Sequence, residues 1–173
     1  MTIRDEILAA NESYATRFTK GQLPMPPARR FAVVTCMDAR LDPAKFLGLE
    51  EGDAHVFRNA GGIVTDDALR SLVISHWLLG TQEAFVIGHT DCGMLTFTNE
   101  QLREKLAGEA GADASGIDFQ PFPDVEERVR ASVLRIRETN LLPDAFAATG
   151  FVYDVRAGEL REVSVPVGAG ATT

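Results

Sequence analysis

The chain has 173 residues, 45% of them apolar, with a formal net charge of −8. That length supports one domain with a sizeable core. Acidity without a basic stripe argues against nucleic acid or a membrane as partner, and no apolar run reaches the length of a membrane span. The Met1–Glu6 segment is polar and lacks a signal-peptide core, so the expected location is cytoplasmic.

In chain order, Thr2–Phe18 reads as a helix whose apolar stripe is Ile3, Ile7, Leu8, Tyr14 and Phe18. Pro24, Pro26 and Pro27 stop it and force an extended path. Phe31–Thr35 is a continuous apolar, β-branched run suited to a strand buried on both faces. Ala54–Phe57 predicts a second strand. Thr65 is a plausible N-cap before Asp66 and Asp67, opening a helix through Leu72 and Trp77 to Gly80. Phe85–Gly88 is the third core strand. Strand, helix and strand at this spacing predict parallel pairing with a crossover.

Beyond Cys92 the pattern predicts a helix carrying Met94, Leu95 and Phe97, a further helical piece over Glu100–Leu106, and a loop over Gly108–Gly116. Pro123-Asp124 opens an amphipathic helix with Val125, Val129, Val133, Leu134 and Ile136 on one face. Phe151–Val155 and Leu160–Val165 flank Ala157-Gly158 and read as a hairpin. A tail from Pro166 is small and flexible in composition. The fold class is α/β: a single domain with a mainly parallel central sheet flanked by helices. Three segments are expected: an N-terminal helical arm (1–23), a metal-binding domain (24–165) and the tail (166–173).

Chemistry concentrates at strand ends. The chain has only two cysteines, Cys36 and Cys92. Cys36 closes the first strand, His89 closes the third, and Cys92 follows three residues later. Two thiols and an imidazole form a zinc ligand set of the catalytic kind, with a fourth position left for water or substrate. Soft thiolates favour zinc over calcium or magnesium. On residue types alone, two buried structural cysteines or a disulfide stay open, although a reducing cytosol favours ligation. Asp38 and Arg40 beside the first cysteine, and Gly88 and Gly93 around the second pair, favour a functional site. Parallel sheets bind ligands beyond the carboxyl ends of their strands, at a switch in strand order. Both ligand segments fall there if the first and third strands are neighbours.

Cys36-Met37-Asp38-Ala39-Arg40, followed by Phe57-Arg58-Asn59-Ala60-Gly61-Gly62 and then His89-Thr90-Asp91-Cys92, resembles the signature of the β-class carbonic anhydrases. The resemblance runs from about Pro24 to about Val165. It implies zinc on Cys36, His89 and Cys92, and hydration of carbon dioxide to bicarbonate by zinc hydroxide. It also implies an N-terminal arm packed on a partner subunit, in a homodimer or higher homo-oligomer. The family includes hydrolases of carbonyl sulfide and carbon disulfide with the same ligands, so carbonyl sulfide hydrolysis is the alternative. A non-catalytic zinc or redox-sensing protein is a third reading. It leaves Asp38 and Arg40 without a purpose.

Two thiolates cancel most of the charge of zinc, so a bound water needs help to ionise. Asp38 can supply it as a proton acceptor, oriented by a bidentate Arg40. In some family members this aspartate takes the fourth zinc position instead, which makes Asp38 a conditional metal ligand. His76 reads as a packed core or interface residue, His55 as a surface residue or one that supports a ligand without touching the metal, Asp91 as a loop holder, and Arg58 as structural or pocket-facing. Met94 and Leu95 after Gly93 depart from the commoner Gly-Gly or Gly-Ala. An apolar, polarisable Met94 suits a sulfur substrate and suits packing equally. Val33 and Val34 stand where a regulatory bicarbonate site would need tryptophan, so that regulation is not expected.

Overall fold

The computed structural model describes residues 1–166, so all of the expected tail beyond Pro166 lies outside the described residues. Ten elements follow one another: α1 (Ile3–Ala15), β1 (Phe31–Cys36), α2 (Pro43–Phe46), β2 (Ala54–Asn59), α3 (Asp66–Leu79), β3 (Glu83–His89), α4 (Asn99–Ala110), α5 (Val125–Glu138), β4 (Ala147–Tyr153) and β5 (Leu160–Val163). The five strands form one sheet in the order β2-β1-β3-β4-β5. The first four are parallel, and β5 runs antiparallel to β4. The expected mainly parallel α/β domain is therefore the observed architecture.

All six residues of β1 are buried, as its unbroken apolar run requires of a central strand. On one face, Ala32, Val34, Ala84, Val86, Ala148 and Val152 pack beneath Leu72 of α3 and Val129, Val133 and Ile136 of α5. Phe31, Val33 and Ile87 point to the other face, against Phe46, Leu49 and Phe151. The caps explain the bounds of the major helices. Thr65 Oγ1 accepts from Ala68 N and Gly80 ends α3 in the left-handed conformation, while Asp124 Oδ1 accepts from Glu126 N and Glu127 N at the start of α5.

Several boundaries differ from expectation. The segment after Cys92 makes only a short 3-10 turn over Gly93–Leu95, with Phe97 outside any helix. The Thr98–Gln101 capping box delays α4 to Asn99, and α4 then runs on to Ala110, where Gly111 ends it. The loop therefore starts later than the glycine at 108 suggests. The strand β2 extends to Asn59, β4 begins at Ala147, and the short α2 was not anticipated. Helix α1 has no buried residue, leaving Ile3, Ile7, Leu8 and Tyr14 exposed. Its ties to the domain are polar: Tyr14 Oη donates to Glu51 and Lys20 pairs with Glu50 and Glu51.

Helix α5 approaches the sheet closely because small residues lie under it. A Cβ on Gly150 would stand 2.5 Å from Val129 Cγ1 and 3.2 Å from Val133 Cγ2. Gly150→Ala overpacks this interface and is expected to destabilise the protein by about 1–3 kcal/mol. Urea unfolding, read as a lower midpoint at unchanged slope, checks this.

Candidate metal centre

The strand order places the chemistry. The chain leaves β1 for the neighbouring edge strand β2, then returns to pair β3 on the opposite side of β1. Cys36 and His89 end β1 and β3, on either side of this reversal. Thr35 Oγ1 donates to Ile87 O (2.9 Å), joining the two strands one residue before Cys36. The loop after His89 is fastened to β4: Thr90 N donates to Tyr153 O, and Thr90 Oγ1 accepts from Val155 N. Cys92 is thereby returned towards Cys36.

One thiol sulfur from each of Cys36 and Cys92 and a ring nitrogen of His89 lie within 4.8 Å of one another, and all three residues are buried. His89 Nδ1 bonds to Thr90 O at 2.9 Å. A carbonyl only accepts, so Nδ1 carries the proton and Nε2 turns its lone pair inward. Among the described residues Nε2 is buried without a hydrogen-bond partner. An orphaned buried acceptor is costly, and a cation between it and the two sulfurs would satisfy it. The cluster can thus hold a metal through one nitrogen and two sulfurs. Hydrogen bonding from Cys92 pushes the Cys36 thiol down, and Cys92 is raised by that same pairing and by burial.

The 3-10 turn Ala60–Gly62 supports this arrangement. Asn59 brackets it, with Nδ2 donating to Ile63 O and Oδ1 accepting from Ile63 N. Gly62 has φ 63°, and a Cβ there would sit 2.8 Å from Cys36 N, so the turn lies on the cysteine backbone only because this residue is glycine. Backbone hydrogen bonding from Asp38 and Gly61 also draws the Cys36 thiol down.

Asp38 and Arg40 form the expected bidentate pair. Arg40 Nε donates to Asp38 Oδ1 (3.0 Å) and Nη2 to Oδ2 (2.8 Å). The guanidinium also bonds Asp91 Oδ2 (2.8 Å) and Asp91 O (2.9 Å). Asp91 was expected to hold the loop, and its link to Arg40 was not foreseen. It sits in the left-handed region (φ 57°), which aspartate tolerates better than most residues. Asp38 Oδ2 lies 3.8 Å from His89 Nε2, at the edge of the cluster. The Asp38 side chain is 17% exposed and that of Arg40 is 48% exposed, so the pair marks the mouth of the site.

The remaining candidates lie elsewhere. Arg58 donates to Cys36 O and Asp38 O and so braces the turn between them. His55 Nδ1 bonds Ser75 Oγ, and His76 bonds Thr81 O beside Trp77 and Phe146; neither joins the cluster. Met94 does pack against the ligands, together with Leu41, Ile63 and Phe122. No local pattern marked Phe122, which reaches the site only through the fold.

Parallel α/β topology with a Cys-His-Cys cluster at the carboxyl edge defines a class of metal-site proteins. A family model described as carbonic anhydrase matches residues 31–160. Beta-carbonic anhydrase 1 of Mycobacterium tuberculosis is 48% identical over 164 residues, covering 95% of this chain and 99% of that protein. A carbon disulfide hydrolase of Acidianus sp. is 35% identical over 182 residues, covering 91% and 87%. The crystal structure of a carbonic anhydrase from Streptococcus mutans superposes with a TM-score of 0.91 at 47% identity, covering 95% of this chain and 99% of that one. The chain belongs to the β-class carbonic anhydrase family.

The hydrogen bonds from Arg40, both side-chain and backbone, hold the Asp38 carboxyl far below the usual carboxylate range. A depressed folded-state value means that ionised Asp38 stabilises the fold above its ordinary pKa and loses this only as pH falls through the folded value. Arg40→Ala is expected to raise the Asp38 pKa towards about 3.9. Carboxyl-carbon NMR titration of the metal-free protein measures it.

Proposed function

We propose that this protein hydrates carbon dioxide to bicarbonate at a zinc ion held by the Cys36 and Cys92 sulfurs and His89 Nε2. The observation that carries the reading is the buried Cys-His-Cys cluster with its partnerless Nε2. The 48% identity to a named β-carbonic anhydrase supports it. Zinc would supply Lewis acidity, making hydroxide available near neutral pH.

The chain's own residues do the rest. Leu41, Ile63, Met94 and Phe122 make the surroundings apolar, which suits an uncharged linear substrate. Asp38, ionised and at the edge of the cluster, accepts a hydrogen bond from attacking water and orients it. Arg40 orients the carboxylate, and Asp91 holds Arg40 from the opposite side. Once released from Arg40, Asp38 would serve as a conditional fourth ligand, a state that would exclude water, and its position 3.8 Å from His89 Nε2 supports this. The charged mouth formed by Asp38, Arg40 and Asp91 gives anionic bicarbonate a polar way out.

A second reading keeps the site and changes the substrate to carbonyl sulfide or carbon disulfide. The polarisable Met94 beside the ligands suits it, and the 35% identical carbon disulfide hydrolase supports it. Paired turnover on one zinc-verified sample separates the readings: proton release from carbon dioxide against sulfide release from the sulfur substrates.

We further propose a homodimer as the minimum unit, with residues 1–23 as an arm that lays its exposed Ile3, Ile7 and Leu8 on a second copy, and 24–165 as the zinc domain. No helix among the described residues is long and apolar enough to cross a membrane. Two free thiols used as metal ligands suit the reducing cytoplasm.

Three outcomes test this account. Cys36→Ser is expected to lower bound zinc from about one per chain to below about a tenth, by elemental analysis, and to abolish hydration. Asp38→Asn is expected to keep its zinc and lose about a hundredfold in kcat/KM for carbon dioxide by stopped flow. Deleting residues 1–23 is expected to convert dimer to monomer in analytical ultracentrifugation.

A further inference from the structure

Phe122 performs no step in the chemistry above, yet it occupies a decisive position. It is buried in the apolar cluster that includes Cys36, Cys92 and Met94. A Cβ built on Gly61 would lie 2.9 Å from Phe122 Cε1 and 3.1 Å from Met94 Cγ. The ring therefore packs closely on Gly61, the neighbour of the Gly62 that lies on the Cys36 backbone. Phe122 also lines an open groove of about 430 Å³ with Leu95, Phe97, Pro121 and Pro123. Phe122, together with Leu95 and Phe97, thus stands between this groove and the metal ligands, and of the three only Phe122 is fully buried in the cluster. The approach past Asp38, Arg40 and Asp91 is charged.

The segment carrying this ring is fixed with unusual expense. Phe122 N donates to Met94 O, linking the two wall residues. Asn99 on α4 donates to Asp118 and accepts from Phe119 N. Gln120 is left-handed (φ 57°), and its N–H donates to Asp118 Oδ1. Its side-chain oxygen accepts from the half-buried Arg128 at 2.7 Å. Arg128 Nε is buried with no partner, and no carboxylate among the described residues pairs with this guanidinium. A desolvated cation with one neutral acceptor is costly. Here it holds the residue two before Phe122.

We propose that Phe122 is a specificity-determining residue that sets the largest neutral linear molecule able to reach Cys36, His89 and Cys92 from the apolar groove. The inference rests on the carbon dioxide reading above. Sulfur is larger than oxygen, so carbon disulfide needs a wider passage than carbon dioxide. Shortening the ring joins the groove to the ligand cluster and admits the larger cumulene.

The experiment uses the full chain with wild-type, Phe122→Leu and Phe122→Ala proteins. With zinc content matched, kcat/KM is measured for carbon disulfide and carbon dioxide. In metal-free protein, the rate at which iodoacetamide alkylates Cys36 and Cys92 is followed by mass spectrometry. The expected result is a rise of about tenfold or more in the carbon disulfide to carbon dioxide ratio for Phe122→Ala, with Phe122→Leu between. Alkylation accelerates in the same order. Leu142→Ala, a buried change in the main core, controls for general loosening and leaves both readouts at the wild-type value. An unchanged ratio and alkylation rate overturn the proposal, as does an equal effect from Leu142→Ala. If wild-type protein turns over neither substrate, the catalytic reading fails, and the alkylation series by itself decides whether Phe122 is the partition.

Discussion

Parallel pairing of β1 with β3 is the constraint on which the rest depends. In register, it places Thr35 opposite Ile87, so Cys36 and His89 leave the sheet side by side. Because β2 was laid on the far side of β1 first, no crossover blocks the crevice between these ends. A slip of one residue in this pairing would turn His89 to the opposite face and dissolve the cluster. The Thr35–Ile87 bond, the buried β1 and the close approach of α5 all resist such a slip.

The site is layered outward by polarity. At its centre, two sulfurs and a nitrogen share a buried space that suits a bound metal. Around them, Leu41, Ile63, Met94 and Phe122 keep the surroundings apolar. At the mouth, Asp38, Arg40 and Asp91 form a continuous charged array. The order matters physically, because a carboxylate placed within the buried centre would have to be neutralised. At the edge it stays ionised, held by a guanidinium that is half in water.

Rigid elements deliver each member. Cys36 and His89 are strand residues, and Cys92 is carried by a loop fastened to β4 through Thr90. Arg58 and the Asn59-bracketed turn brace Cys36 from beneath. The segment holding Phe122 is a loop with its own polar scaffold of Asn99, Asp118, Gln120 and Arg128. This division separates the ligands, which the sheet fixes, from the wall, which side-chain hydrogen bonds fix.

Much of this was written in local pattern. The β1 run, the Thr65 and Asp124 caps and Gly80 specified their elements directly, because burial and capping act within a few residues. The Cys36, Asp38, Arg40, His89 and Cys92 spacing identified the residues that the fold brings together. The Phe97 helix failed because a Thr98–Gln101 capping box outweighed apolar spacing. Asp91 on Arg40, Phe122 on Gly61 and the partnerless His89 Nε2 were beyond sequence reasoning. Each depends on segments far apart in the chain meeting across the sheet edge, and only the tertiary packing sets those distances.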